Sequence, residues 1–135
     1  MNNLDGENRA ILVEMIRKVA WGFGYAMNGF RIALRQEHNF QIQVVGALLV
    51  FAASFFFNIS ALEFAVVMLT AGFIMSIELL NTALEELCDK HTKEHDPHIA
   101  KIKDLAAAAV TVSFFFSLIV GTAIFLPYLL EYVAR

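Results

Sequence analysis

Residues that interrupt helices or cross-link chains are scarce in this sequence. Its 135 residues include two prolines, seven glycines and one cysteine. So few helix breakers favour long helices, and a lone cysteine, Cys88, excludes an internal disulfide. Charged residues make up only 17% of the chain, and the net charge of -3 gives no reason to expect a nucleic acid as partner.

Apolar side chains are what the sequence has in excess. They form 59% of the chain, whereas soluble domains reach about 45–50% with glycine included. A soluble domain of this length cannot hide so much apolar surface from water. The composition therefore predicts a single membrane domain that has the lipid bilayer as part of its solvent.

Three apolar stretches have the length of membrane-spanning helices. Residues 42–57 carry no charge, and Gln41 and Gln43 can sit at the boundary of that stretch. A tight turn is predicted at residues 58–60, before a second span that starts at Ala61 and continues as polar helix to residue 88. The third span, residues 105–126, is also uncharged and precedes Pro127. The predicted fold class is therefore an all-α membrane protein with three transmembrane helices.

The segment before these spans has the pattern of a surface helix. After a flexible tail at residues 1–9, apolar residues recur at steps of three and four through residues 10–36. Arginines, together with Trp21 and several phenylalanines, suit the membrane–water interface. Continuing the same helical phase places Glu37 on the apolar face. A carboxylate is unfavourable there and requires an explanation.

The basic residues predict the orientation in the membrane. Nine of the ten lysines and arginines lie before the first span or between the second and third. Because such residues stay in the cytoplasm, the N-terminus and the loop at residues 90–97 are predicted to be cytoplasmic. The expected location is the plasma membrane, with this side of the protein facing the cytoplasm.

Small residues are spaced by four along the third span, at Ala109, Ser113, Ser117 and Gly121. Such a stripe lets helix backbones approach closely within lipid. Packing between protomers and packing within one chain are equally compatible with it.

Polar residues on one face of the second span are candidates for chemistry. Glu78, Asn81 and Glu85 share that face because they lie at i, i+3 and i+7. Glu78 is about 25 Å of helix beyond Ala61, near the cytoplasmic edge of the hydrocarbon, so snorkelling of its side chain to water is the alternative. If the surface helix packs against this span, Glu37 joins the cluster, and such carboxylates suit Mg²⁺ with substrate phosphates.

Other motifs are weaker. His91, His95 and His98 with Asp96 suggest zinc, but Pro97 breaks the helix that their spacing would require. The sequence has neither a Walker A loop nor the glycine loop of protein kinases, so spacing alone predicts no ATP site. Basic residues at the start of the third span can be phosphate ligands or ordinary anchors on the cytoplasmic side.

Three ordered motifs resemble a known family. Residues 77–85 look like the E-x-x-N-[ST]-A-[IL]-E signature of prokaryotic diacylglycerol kinases. Residues 100–110 are similar to the K-D-x-x-x-A-A-V segment of that family, and residues 29–40 to its G-[LF]-x-x-A…E-x-x-F block. The resemblance covers about residues 18–130, and it implies an ATP-dependent lipid kinase.

The resemblance also implies residue roles and partners. Glu78 resembles the general base that takes the proton of a lipid hydroxyl, and Asn81 the residue that orients this base. Glu37 and Glu85 look like the Mg²⁺ carboxylates, and a homotrimer in the bilayer is expected. The positions that match nucleotide contacts are Lys103, Asp104, Glu94, His95, Asp96 and Tyr25.

One departure leaves the acceptor open. After Glu37, enterobacterial-type members read A-A-F-R-Q-E, whereas this chain reads H-N-F-Q-I-Q. The H-N-F form looks more like the Gram-positive-type members, which act on undecaprenol, so diacylglycerol and undecaprenol both remain candidates. Outside the family, a small proton-coupled transporter that uses Glu78 and a non-catalytic membrane scaffold are the alternatives.

Overall fold

Four α-helices make up the fold. The computed structural model describes residues 2–91 and 96–134, with side chains from residue 8. The helices are α1 (Asn2–Gln36), α2 (His38–Phe56), α3 (Ala61–His91) and α4 (Pro97–Val133). In length and composition, α2, α3 and α4 are able to cross a membrane, whereas α1 is not among these candidate spans. The predicted class, an N-terminal helix plus three spans, is confirmed.

Most large apolar side chains of the chain are exposed to its surroundings. Among the described residues, the buried apolar side chains are those of Ala33, Phe40, Val67, Ile74, Cys88 and Ala106. A helix that keeps its apolar side chains on the outside has lipid, or other copies of the chain, as its packing partner. The exposure therefore agrees with three membrane-spanning helices.

The chain divides into two compact units, residues 1–36 and residues 37–135. The first unit is α1, which begins at Asn2, whereas the predicted surface helix starts at residue 10. Its side chains are almost all exposed, and Lys18 pairs with Glu14 one turn earlier at 3.1 Å. The second unit contains α2, α3 and α4.

The turn between α2 and α3 closes with a Schellman motif. The backbone N–H of Ile59 donates to the carbonyl of Ser54, and that of Asn58 donates to the carbonyl of Phe55, both at 3.2 Å. Asn58 has φ 51°, a left-handed conformation that asparagine tolerates better than most residues. The tight turn predicted at residues 58–60 is present, and it brings α3 back against α2.

A polar cluster then starts α3 and ties it to α4. The carboxylate of Glu63 accepts from the Ser60 backbone N–H at 2.8 Å, and the Ser60 hydroxyl accepts from the Glu63 N–H at 3.3 Å. This reciprocal pair is a capping box. The Tyr128 hydroxyl of α4 donates to the same carboxylate at 2.8 Å. A glutamate that interrupts the apolar pattern is thus explained by capping and by a contact between helices.

The opposite end of the α3–α4 pair has its own polar contact. The Lys103 ammonium of α4 donates to the Asp89 carboxylate of α3 at 2.8 Å. Asp89 lies 26 residues after Glu63, and Lys103 lies 25 residues before Tyr128. The two helices are therefore antiparallel and in constant register over about 39 Å.

Helix α4 is longer than the predicted third span at both ends. It begins with Asp96 as its N-cap, whose Oδ1 accepts from the His98 N–H at 2.8 Å, and with Pro97 in the first turn. It continues past Pro127 to Val133. Proline inside a membrane helix is tolerated because other groups can satisfy the freed carbonyl.

Candidate functional site

Two polar residues are buried in the C-terminal half of α3. Glu78 is 2% exposed and Asn81 is 7% exposed. They continue a buried stripe that includes Ile74 and Cys88 at helical spacing. The same face that buries apolar residues therefore buries an ionisable one, and such a residue at membrane depth is a candidate for function.

Glu78 is held from the neighbouring helix. The Nε2 amide group of Gln43 in α2 donates to Oε2 of Glu78 at 3.1 Å. This contact joins residues 35 positions apart in the sequence, and the antiparallel pairing of α2 and α3 makes it possible. A hydrogen bond to a carboxylate is stronger than one between neutral groups, so it fixes the orientation of the Glu78 side chain.

Asn81 makes its contact one turn further along the same helix. Its Nδ2 group donates to Oε1 of Glu85 at 3.1 Å. The Oδ1 atom of Asn81 is buried and has no hydrogen-bond partner among the described residues, and the same holds for Oε1 of Gln43. Buried polar atoms without partners are rare enough to require an explanation. Each of these two carboxamides gives its N–H to a glutamate and keeps its oxygen free.

The predicted nucleotide lysine lies at the end of this face. Lys103 is ion-paired with Asp89 at 2.8 Å, and Glu85 also attracts its ammonium group. The lysine side chain is 37% exposed, so it is accessible from outside the chain. Positive charge thus lies next to the Asn81–Glu85 pair.

The other predicted site residues lie at separate places along the chain. Glu37 is half-buried immediately before α2, and Asp104 is exposed on α4. Asp96 caps α4, as described above. Tyr25 is exposed on α1, where it lines a shallow recess together with Arg17, Lys18, Trp21 and Gly22. Glu94 and His95 lie outside the described residues.

No complete metal cage is seen within the described ranges, 2–91 and 96–134. They contain no group of three or more histidine, cysteine, aspartate or glutamate side chains arranged to hold an ion. His95, part of the zinc motif, lies outside these ranges. Two carboxylates with phosphate and water as the remaining ligands are enough for Mg²⁺.

Sequence reasoning did not single out Gln43 or Asp89 as site residues. Gln43 was predicted to sit at the membrane boundary, but it reaches the Glu78 carboxylate. A signal was available, since Gln43 lies three residues after Phe40, which is fully buried, and therefore on the inward side of an apolar helix. Asp89 carried no such signal, because its contact depends on the register between α3 and α4.

Comparison with known proteins decides the family. Residues 24–125 match the family described as prokaryotic diacylglycerol kinase, which is most of the chain. The chain belongs to the prokaryotic diacylglycerol kinase family. The undecaprenol kinase of Bacillus subtilis (strain 168) is 39% identical over 105 residues, 78% of this chain and 85% of that protein.

Relatives with another printed name are similar as well. The diacylglycerol kinase of Synechocystis sp. is 36% identical over 125 residues, 86% of this chain and 71% of that protein. The diacylglycerol kinase of Escherichia coli (strain K12) is 27% identical over 90 residues, 67% of this chain and 74% of that protein. The resemblance seen in the motifs is thereby confirmed.

Membership in the diacylglycerol kinase family sets the class of activity. The chain is a multi-pass membrane lipid kinase, and kinase activity implies the use of ATP. The transporter and scaffold alternatives are accordingly set aside.

Proposed function

We propose that the chain transfers the γ-phosphoryl group of ATP to the hydroxyl of a membrane lipid, with Glu78 as the general base. The observation that carries this proposal is a buried carboxylate, hydrogen-bonded by Gln43, in the C-terminal half of the membrane-spanning helix α3. A lipid hydroxyl lies at the boundary of the bilayer and ATP is dissolved in water. A base at that depth is where the two substrates can meet.

The proton balance of the reaction assigns Glu78 its task. As the lipid oxygen bonds to the γ-phosphorus, the bond to the β-phosphate oxygen breaks and ADP leaves. The hydroxyl proton then needs an acceptor within hydrogen-bond reach, which a positioned carboxylate supplies. Phosphoryl transfer otherwise requires mainly positioning and charge stabilisation, so one base is sufficient.

We propose Glu37 and Glu85 as the carboxylates that would hold Mg²⁺. Both offer carboxylate oxygens, the ligands this ion prefers, and the buried, unpaired Oδ1 of Asn81 adds an acceptor beside Glu85. When bound, Mg²⁺ supplies positive charge against the phosphates. Asn81 holds Glu85 through its amide, and this contact is how we propose that it supports the site.

The nucleotide is proposed to bind where Lys103 meets Asp89. The lysine would exchange its aspartate partner for phosphate oxygens, with Asp104 beside it. Glu94, His95, Asp96 and Tyr25 are the proposed further contacts.

Assembly and sidedness complete the proposal. The basic residues favour a cytoplasmic active site in the bacterial inner membrane, because nine of ten flank the same side of the spans. A homotrimer is proposed because three spans bury few of their own side chains. The small-residue stripe on α4 is compatible with packing within the chain and with packing between protomers, since the side chain of Ser113 is buried within the chain and that of Ala109 is exposed.

Two lipids are candidates for the acceptor that is phosphorylated. The H-N-F sequence after Glu37 and the 39% identity to an undecaprenol kinase favour a polyprenol. The cyanobacterial relative named diacylglycerol kinase, at 36% identity, keeps diacylglycerol as the alternative.

The test is turnover of the purified protein in mild detergent with Mg-ATP and each lipid in turn. Formation of radiolabelled phospholipid with undecaprenol faster than with diacylglycerol supports the polyprenol assignment, and the reverse order assigns the chain to diacylglycerol. Turnover of neither lipid by protein that elutes as a folded oligomer would overturn the proposed function.

A further inference from the structure

We infer that Gln43 is a positioning residue for phosphoryl transfer: its amide N–H holds Oε2 of Glu78, so that Oε1 is presented to the lipid hydroxyl. This inference rests on the proposed role of Glu78 as general base. Gln43 lies on α2, outside the three motif segments. The inference gives it the task of orienting the base, which the family resemblance assigns to Asn81.

The hydrogen bond between Gln43 and Glu78 can fix the orientation of the carboxylate. Gln43 and Glu78 belong to different helices, their atoms are 3.1 Å apart, and Glu78 is 2% exposed. At such burial, few other donors can replace the amide. Rotation of the carboxylate about its last torsion is otherwise soft, because terminal sp³–sp² torsions are broad. The amide is what restricts it.

The orientation of the amide follows from charge. If Gln43 turned its oxygen toward Glu78, two oxygens with negative character would face one another, so the nitrogen must be the atom in contact. The consequence is that Oε1 of Gln43 is buried without a partner in the described part of the chain. An apolar residue would have left no such oxygen. The site therefore tolerates an unsatisfied acceptor in order to keep a donor on the base.

Asn81 is engaged elsewhere. Its Nδ2 group donates to Glu85 at 3.1 Å, so each carboxamide holds one carboxylate: Gln43 holds Glu78, and Asn81 holds Glu85. In this division of tasks the proposed base is fixed from α2 and the proposed metal carboxylate is fixed from α3. Displacement of a reacting group by about 1 Å can reduce turnover by about 100-fold.

The experiment compares two substitutions that differ in the donor they offer. Gln43→Met keeps the length and apolar fit of the side chain but has no N–H. Gln43→His keeps an N–H, because histidine Nε2 is three bonds from Cβ, as is glutamine Nε2, and it removes the unpaired oxygen. Ser54→Ala is the matched control, since it removes a buried polar group from α2 whose hydroxyl donates to the Val50 carbonyl of its own helix.

The readout is kcat and KM for ATP and for the better lipid acceptor, with size-exclusion elution as the check on folding. We expect Gln43→Met to lower kcat by about 10- to 100-fold with both KM values within about 3-fold of wild type. Gln43→His should recover most of that loss, and Ser54→Ala should match wild type.

Three results would overturn the inference while wild type is active. These are an unchanged kcat in Gln43→Met, equal losses in both Gln43 variants, and a loss confined to KM. None of them touches the proposed function. Absence of lipid phosphorylation by wild type would instead overturn the proposed function, and the role of Gln43 would fall with it.

Discussion

Replacing Glu78 by glutamine separates the chemistry of this site from its architecture. In Glu78→Gln the new carbonyl oxygen can accept from Nε2 of Gln43 in place of Oε2, so the 3.1 Å contact between α2 and α3 is retained. The amide nitrogen then occupies the position of Oε1 and cannot accept a proton. Because an amide is less costly to bury than a carboxylate, we expect the variant to be at least as thermally stable as wild type.

The expected loss of activity follows from the task assigned to Glu78. A positioned general base contributes about 10²- to 10⁴-fold to turnover, which corresponds to about 3–5 kcal/mol of activation free energy. The proposed nucleotide lysine and the proposed metal carboxylates are unchanged by the substitution. We therefore expect a kcat of roughly 10⁻²–10⁻⁴ of wild type, with KM for ATP within about 3-fold.

The assay has to measure a very low rate without contamination. Protein from cells that lack their own lipid kinases is incubated with radiolabelled ATP, and the phospholipid product is extracted and counted. Glu86→Gln is the control, because Glu86 lies exposed on the same helix outside the buried face. A folded Glu78→Gln variant that keeps more than about a tenth of wild-type kcat would refute the role of Glu78 as base. So would equal losses in the two variants.

Three further variants test the neighbouring contacts. Asn81→Leu loses a hydrogen bond to Glu85, about 1.5–3 kcal/mol, but removes an unpaired buried oxygen that costs about 1–3 kcal/mol. Turnover should therefore fall at least about 10-fold while the thermal midpoint stays near wild type, and a large drop in midpoint would show a mainly structural role. Lys103→Met should raise KM for ATP and leave KM for lipid unchanged in steady-state kinetics, and the reverse pattern would contradict a phosphate contact. Asp96→Ala removes the cap that accepts from His98, so thermal unfolding should show a loss of about 0.5–2 kcal/mol; no change would mean that the cap is dispensable.

The features that could be predicted from the sequence are those that depend on local periodicity. The three spans follow from largely uninterrupted apolar runs, and the turn at Asn58 follows from a residue that tolerates a left-handed backbone conformation better than most. The shared face of Glu78, Asn81 and Glu85 follows from helical spacing alone. These elements are close to the predicted ones.

The contacts that could not be predicted depend on how the helices pair. The bond from Gln43 to Glu78 and the pair of Lys103 with Asp89 both depend on the register of antiparallel helices, which no local pattern encodes. The continuation of α4 through Pro127 was also missed. A proline often ends a helix in water, but less often in lipid, where a broken helix would leave its backbone groups unsatisfied.

The polar contacts at the two ends of α3 and α4 fix the position of one helix relative to the other over a length that exceeds the hydrocarbon thickness. Glu63 with Tyr128 and Asp89 with Lys103 are separated by about 39 Å of helix, whereas the hydrocarbon layer measures about 30 Å. The helices cannot slide along one another to match a thicker or thinner bilayer without breaking both contacts. Mismatch must then be met by tilting the pair or by deforming the lipid around it. If Glu78 is the base, as proposed, the thickness of the host membrane sets the depth at which it meets an acceptor hydroxyl.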